Sequence, residues 1–192
     1  MKISIPLREE KPDQSVGKKR RRIFESIKGD NPEHGPRMLF FCGGTAIKSF
    51  SRKLINHTHN SIHIVTPFDS GGSSAKIREF FNIIAVGDLR NRMLALSDGS
   101  NSEIRIVTRL LSYRLPFDAG DDELLSVLWD LAFENHPVVK IIEEPFRKLI
   151  CKGLYKFARK IPDGFDLRGA SIGNLVIAGL YLENRNFNQV LK

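Results

Sequence analysis

The stretch RMLFFCGGTAIKSFSRKLINHTHNSIHIVT, residues 37–66, decides the fold. It opens on a short continuous apolar run, RMLFFC, the pattern of a strand buried on both faces of a parallel sheet. Gly43, Gly44 and Thr45 stop that strand at once. The segment TAIKSFSRKLINH then places Ile47, Phe50 and Leu54, with Ser51, on one helical face. SIHIVT, residues 61–66, is a second strand. Strand, glycine turn, helix and strand within about 30 residues make a βαβ unit, whose crossover is expected to be right-handed. The fold class is therefore α/β, built on a Rossmann-like parallel sheet.

At the carboxyl edge of such a sheet, a glycine turn lets a ligand approach the backbone. The N–H groups opening the helix at Thr45 can meet phosphate oxygens there. Gly43 and Gly44 would serve equally to permit a tight turn. Neither the dinucleotide fingerprint G-x-G-x-x-G nor the P-loop pattern occurs. The next edge loop, PFDSGGSS from Pro67 to Ser74, carries Asp69 at 26 positions after Gly43. Dinucleotide-binding folds hold a ribose-binding carboxylate at about that distance, although a loop carboxylate can also cap a helix or bond its own backbone. Gly71, Gly72, Ser73 and Ser74 add N–H and hydroxyl donors, with Ser74 the expected N-cap of the helix in SAKIREFF. In the third loop, IIAVGDLRNRMLALSD, Gly87 breaks the chain and Asp88 is expected to cap a helix that turns Met93, Leu94 and Leu96 inward. Arg90, Asn91 and Arg92 fall in its first turn. Cations there oppose the helix dipole, which calls for a bound anion or for plain solvent exposure.

Composition bounds the rest. The 192 residues, 41% hydrophobic and 27% charged, suffice for one domain or slightly more. No run reaches the roughly 20 apolar residues of a membrane span, and the amino terminus lacks the apolar centre of a secretory signal, so a cytoplasmic location is expected. Cys42 and Cys151 are too few for a disulfide framework and are expected to be reduced. Residues 1–35 carry nine Lys and Arg against six Asp and Glu, including KKRRR from Lys18 to Arg22, and are expected to form a flexible basic arm. A basic run can grip nucleic acid, but no stacking aromatic beyond Phe24 and no helix-turn-helix pattern accompanies it, so nucleic acid is not an expected partner. The whole chain has a net charge of +8, and residues 36–192 remain basic by themselves, which suits either an anionic ligand or a solvated surface of mixed charge.

After Leu89 the pattern is helical through EIRIVTRLLSYRL, DDELLSVLWDLAFEN, PVVKIIEEPFRKLICKGLYKFARKI and SIGNLVIAGLYLEN, a large helical insertion. Trp129, Phe133 and Leu125 recur at helical spacing and are expected in the core. His57, His59 and His63 straddle a helix end and a strand without acidic neighbours, so zinc is not expected. Glu143 and Glu144 are adjacent and point to different faces, which argues against an acid–base pair. Ser73 lies in no nucleophile elbow.

FFCGGTAIKSFSRKL, IVTPFDSGGSSAKIREFF, AVGDLRNRMLALSD and RGASIGNLVIAGLYLEN together span about residues 37–184. In order and approximate spacing they resemble the CofD-like family, which contains 2-phospho-L-lactate transferase and the bacterial gluconeogenesis factors. PFDSGGSSA with AVGDLRN is most similar to the branch called the GAK system CofD-like proteins. The resemblance implies a Rossmann-like fold that binds a phosphorylated or nucleotide-containing small molecule. For transferase members it implies transfer of a phospholactyl or phosphoenolpyruvyl group from a guanosine diphosphate donor to a deazaflavin, with magnesium. It assigns Gly43, Gly44 and Thr45 to the first phosphate-side turn. Asp69, Gly71, Gly72 and Ser73 fall in the acidic loop around acceptor and metal, with Asp69 as the catalytic and metal-holding residue. Gly87, Asp88 and Asn91 complete the pocket, and Ser171, Gly173 and Asn174 form the later small-residue motif.

The chain departs from the family pattern at Ala46, Ser70, Val86 and Ala170. Ser70 replaces the second carboxylate and so weakens the expected hold on magnesium. Family members continue beyond the Asn174 motif with further strands. Residues 36–192 are therefore expected to be the amino-terminal portion of the domain, as a truncated product, a fragment or half of a split protein, with a homo-oligomer or a missing carboxyl-terminal half as the partner expectation. Two rival expectations accompany the transferase: a non-catalytic regulator that binds a nucleotide sugar or dinucleotide, and a truncated inactive fragment.

Overall fold

The computed structural model describes residues 31–43, 47–68, 71–186 and 190. Most of the basic arm, residues 1–30, lies outside the described residues. Its last part is tied down. Pro32–His34 form a 3-10 turn capped by Asn31, and the Asn60 side-chain amide donates to the Glu33 and Gly35 carbonyls, both at 2.8 Å. Thr58 Oγ1 donates to Pro36 O at 2.7 Å, so residues 31–36 sit against the loop that enters the second strand.

Strand β1 (Met38–Cys42) pairs in parallel with β2 (Ser61–Val65), Met38 opposite Ser61 through Cys42 opposite Val65. Helix α1 (Lys48–Leu54) makes the crossover and buries Ser51 and Leu54. Helices α2 (Gly72–Phe81) and α3 (Gly87–Ala95) follow, α3 packing on both α1 and β2. On the inner face of the sheet Phe40 meets Phe50 edge-on at 5.5 Å and stacks on His63 at 5.0 Å. Burial on both faces is not what the strands show. Leu39, Phe41, Ile62 and Ile64 on the outer face are 55%, 78%, 59% and 47% exposed, and no described element covers them. A continuous apolar run fits a strand between two helical layers, but it does not itself supply the second layer.

The remainder is helical. Helix α4 (Ser102–Ser112) starts on Asn101, whose side chain accepts the Glu103 and Ile104 N–H groups. Helix α5 (Asp121–Ala132) has three carboxylates in its first turn, favourable to the dipole, and buries Leu124, Val127, Leu128 and Leu131 at helical spacing. That stripe is one residue out of phase with the expectation: Leu125 and Phe133 are exposed, while Trp129 is partly buried and stacks on Phe133 at 5.3 Å. The long helix expected from Pro137 divides into α6 (Pro137–Lys140) and α7 (Phe146–Ala158), with Pro145 immediately before α7, a position its missing N–H permits. Helix α8 (Ile172–Asn184) is apolar on nearly every side, burying Ile172, Leu175, Val176, Ala178, Leu180 and Leu182. Such a helix belongs at the centre of a fold, and α8 packs on α2, α3, α4 and α7. Where it crosses α7 the backbones touch: a Cβ on Gly179 would lie 1.9 Å from Gly153 O. Among the described residues, no helix is long and apolar enough to cross a membrane.

The open outer face and the closed helical core differ in their tolerance of substitution. Leu154→Ala, at a side chain with 0% exposure, should cost about 2–5 kcal/mol by urea denaturation. Phe41→Ser should stay within about 0.5 kcal/mol. An equal loss at both would mean that the outer face is packed.

Candidate functional site

The amino terminus of α8 is where the motifs meet. It is fixed by a short antiparallel crossing in which Leu115 N donates to Ala170 O at 2.9 Å and Ile172 N donates to Tyr113 O at 3.0 Å. Ser171 takes the N-cap position there and is fully buried. A helix start leaves N–H groups without intrahelical partners, and α2 supplies one from outside. Ser73 Oγ accepts from Ser171 N–H at 3.3 Å and from the Asn174 side-chain amide at 3.0 Å. One residue further, Ser74 Oγ accepts from Gly87 N–H at 3.0 Å and ties α2 to the start of α3. Arg90 of α3 closes the circuit, donating through Nη1 to Ser171 Oγ and through Nη2 to Asn91 Oδ1 at 2.7 Å. Ser171 Oγ in turn donates to Leu111 O at 3.1 Å.

The structure thus brings together Ser73, Gly87, Asn91, Ser171, Gly173 and Asn174 from three separate motifs, with Asp88 buried beside them at the start of α3. Gly173 is there for space: a Cβ would fall 2.5 Å from Leu111 O and 2.7 Å from Arg90 Cδ. Gly71 and Gly72 lie exposed at the start of α2, Gly72 with φ +52°, a conformation that side chains disfavour. Gly43 ends β1 at the edge of the sheet. Beside it, Thr66 N–H donates to Cys42 O at 3.3 Å, and Ala85 N–H donates to Pro67 O at 2.9 Å, joining the stems of the second and third loops. Gly44, Thr45 and Asp69 lie outside the described residues, as do Ala46 and Ser70.

Two expected caps are corrected. Helix α2 begins at Gly72 after Gly71, so Ser74 sits inside the first turn and spends its hydroxyl on α3. Helix α3 begins at Gly87 after Val86 with no side-chain cap, and Asp88 is in its first turn. At Ser74 a hydroxyl that a surface helix would turn onto its own backbone is drawn to a neighbouring element, because burial makes any unpaired group costly.

Arg90 and Arg92, which the sequence leaves to an anion or to solvent, are both buried and bonded inside the protein, Arg92 through Nη1 to Ser51 Oγ of α1. The structure puts Arg92 in the last turn of α3, where the helix dipole favours a cation, and not in the first turn. Arg114, which no motif singles out, brings its Nη1 within 3.9 Å of where a Cβ on Gly72 would sit and donates to Gly169 O at 2.9 Å.

Within the cluster, Asn174 Oδ1 and Arg90 Nε are buried atoms with no hydrogen-bond partner among the described residues, although Arg90 is bonded through both of its Nη atoms. A free carbonyl oxygen in such a place is an acceptor waiting for a donor. Around the cluster the charges are settled locally. Lys76 Nζ lies 2.7 Å from Asp166 and, as the largest influence, holds that carboxyl below the usual range. Burial, and then the charge of Arg92, lowers the His63 pKa. Cys151, free and buried in α7, has its thiol pushed up to about 11, mainly by burial. Cys42 is likewise free. Among the described residues no three of His, Cys, Asp and Glu gather in a metal-holding group. The described part of the site therefore offers no metal set of its own.

A parallel β-α-β unit whose loops run into a buried polar cluster makes this a mixed α/β protein of Rossmann-like design. The profile of the family described as 2-phospho-L-lactate transferase CofD matches residues 38–192, and the chain belongs to that family. The gluconeogenesis factor of Listeria monocytogenes is 42% identical over 89 residues, 46% of this chain and 26% of that protein. That of Listeria innocua is 40% identical over 89 residues, with the same shares. A relative from Nostoc sp. is 39% identical over 87 residues, 45% of this chain and 18% of its own length. The matched segment thus spans about a quarter or less of these relatives. No solved structure matches the chain.

The packing at Gly173 yields a direct expectation. Gly173→Ala should destabilise the protein by about 1–3 kcal/mol, whereas Gly99→Ala, where a Cβ meets nothing within 4 Å, should stay within about 0.5 kcal/mol. Thermal melts of the two variants would show it. Equal melts would mean that Arg90 does not cross α8 at this point.

Proposed function

We propose that the chain binds a phosphorylated, nucleotide-containing small molecule across Gly43–Thr45, Asp69–Ser73, Gly87–Asn91 and Ser171–Asn174. In this reading it serves a cytoplasmic transferase of a phosphorylated three-carbon acid group. The observation that carries it is the unmatched Asn174 Oδ1 inside a polar cluster assembled from three motif loops. A core built for stability alone has little reason to hold an unsatisfied acceptor beside Ser73 and Ser171.

In the proposed complex the backbone N–H groups of Gly71 and Gly72 and of the glycine turn after β1 face phosphate oxygens, and Arg114 stands next to Gly72 to meet the same charge. Asn174 Oδ1 accepts from a ligand N–H or O–H. Transfer then proceeds mainly by positioning and charge neutralisation. Asp69 is the group that would take up the acceptor's proton and hold a magnesium ion, which when bound supplies neutralising charge to the phosphates. A second reading, a non-catalytic protein that binds a nucleotide sugar or dinucleotide, is favoured by one feature: Ser70 stands where a second carboxylate would help to hold a metal.

Thermal shift assays with guanosine nucleotides, UDP-sugars and NAD, each with and without magnesium, separate the readings. The transferase predicts magnesium-dependent stabilisation by a guanosine nucleotide, reaching about 2.7 kcal/mol at 100-fold excess over Kd, and loss of the magnesium dependence in Asp69→Asn. Metal-independent binding of a UDP-sugar or NAD establishes the second reading instead. A flat response to every ligand overturns both.

A further inference from the structure

The packing of the central helices leaves a gap. Between α3, α4, α7 and α8 lies a cavity of about 200 Å³ whose wall is almost wholly apolar. Leu94, Val107, Ile150, Val176, Ile177 and Leu180 supply much of that wall, and all six are buried core side chains. The most exposed lining residues, Met93 and Leu149 at 42% and 47%, mark a mouth between α3 and α7. Two hydroxyls interrupt the wall at one place, Ser97 Oγ and Thr108 Oγ1, which lie 3.3 Å apart. Ser97 Oγ donates its proton to Leu94 O at 2.9 Å. Thr108 therefore supplies the proton between the two hydroxyls, and its oxygen keeps a lone pair for a further donor.

We propose that this cavity binds a compact flat molecule of about the size of indole, apolar over its faces and carrying one N–H or O–H on its edge. Protein interiors are packed as densely as organic crystals, with few voids larger than a water molecule, and an empty apolar cavity destabilises a core in proportion to its volume. Water does not offset that loss, because it needs two to four polar partners, which aliphatic side chains do not provide. An apolar ligand does. A cavity of about 150 Å³ lined by aliphatic and aromatic side chains holds benzene, so the larger volume here admits a somewhat larger ring system and is too small for a nucleotide. Thr108 Oγ1 accepts from the edge donor, while the faces of the ring lie against the branched side chains of α4 and α8. The cavity backs onto the motif cluster, since Arg90 and Gly173 belong to the walls of both. Its remaining walls are the apolar sides of α4, α7 and α8, so its ligand is independent of one held at the motif loops.

The test is an amide NMR titration of the full chain with indole, and in a second arm with benzene. Saturable shifts are expected at Val107, Thr108, Val176 and Ile177. Val107→Phe, which fills the cavity, should abolish them. Leu149→Gln, a change at the exposed mouth that leaves the fold intact, should raise the half-saturating concentration of both probes about fivefold. Ile141→Ser, at a half-exposed side chain outside the cavity, should leave it unchanged. Thr108→Val should weaken indole about fivefold and leave benzene as it was; equal effects on the two probes overturn the edge donor. Shifts that never saturate, shifts that gather instead at Phe41 and Ile64 on the open face of the sheet, or the same half-saturation in Val107→Phe and Leu149→Gln as in the wild type overturn the proposal.

Discussion

The start of α8 is the constraint on which the rest of the molecule depends. This helix is apolar on nearly all sides and sits in the middle of the other helices, so its amino-terminal N–H groups point into a space that water does not reach. Buried donors must be paired or they cost free energy comparable to a lost hydrogen bond. The pairing comes from elements far away in sequence: Ser73 lies about a hundred residues before Ser171 and Asn174, and Arg90 about eighty before Ser171. Each bond is modest by itself, but together they set where α2, α3 and α8 sit relative to one another. Ser73, Ser171 and Asn174, which meet there, lie in segments that carry the family resemblance.

The same cluster explains why the chain places small residues where it does. Gly173 lets the Arg90 side chain pass over the first turn of α8, and Ser73 and Ser74 are short enough to reach two different helices from consecutive positions. A longer side chain at Ser73 would separate α2 from α8, one at Ser74 would separate α2 from α3, and one at Gly173 would push α8 away from Arg90 and Leu111. The sheet contributes differently: β1 and β2 bring the Gly43 turn and the stem of the Asp69 loop to one edge, while the outer face of the pair stays open. The polar centre, and not the sheet, is therefore the best-enclosed part of the region that carries the motifs.

Much of this was legible in the residues. The two strands, the crossover helix and the helical remainder follow from apolar runs and 3.6-residue spacing, and the four motif segments point to the family to which the chain belongs. What escaped is what depends on neighbours distant in sequence. Burial of Leu39 and Phe41 needed a second covering layer that a run of apolar letters cannot reveal. Ser74 and Asp88 looked like caps because a local pattern sees only local partners. Leu125 and Phe133 fit a helical stripe as well as Leu124 and Leu128 do, and only the packing of α5 on α7 selects between the two phases. Arg90 and Arg92 were conspicuous as misplaced charges, yet their partners Ser171 and Ser51 could be found only in three dimensions.

The central claim, that the Ser73–Asn174 contact holds the motif loops together, is tested most directly by a double-mutant cycle. Ser73→Ala, Asn174→Ala and the double variant would be unfolded in urea beside the wild type. A coupling free energy of about 1 kcal/mol or more, with the double variant losing less than the two single losses combined, is the predicted result. Losses that add to within about 0.3 kcal/mol would show the two residues to be independent and would contradict the account.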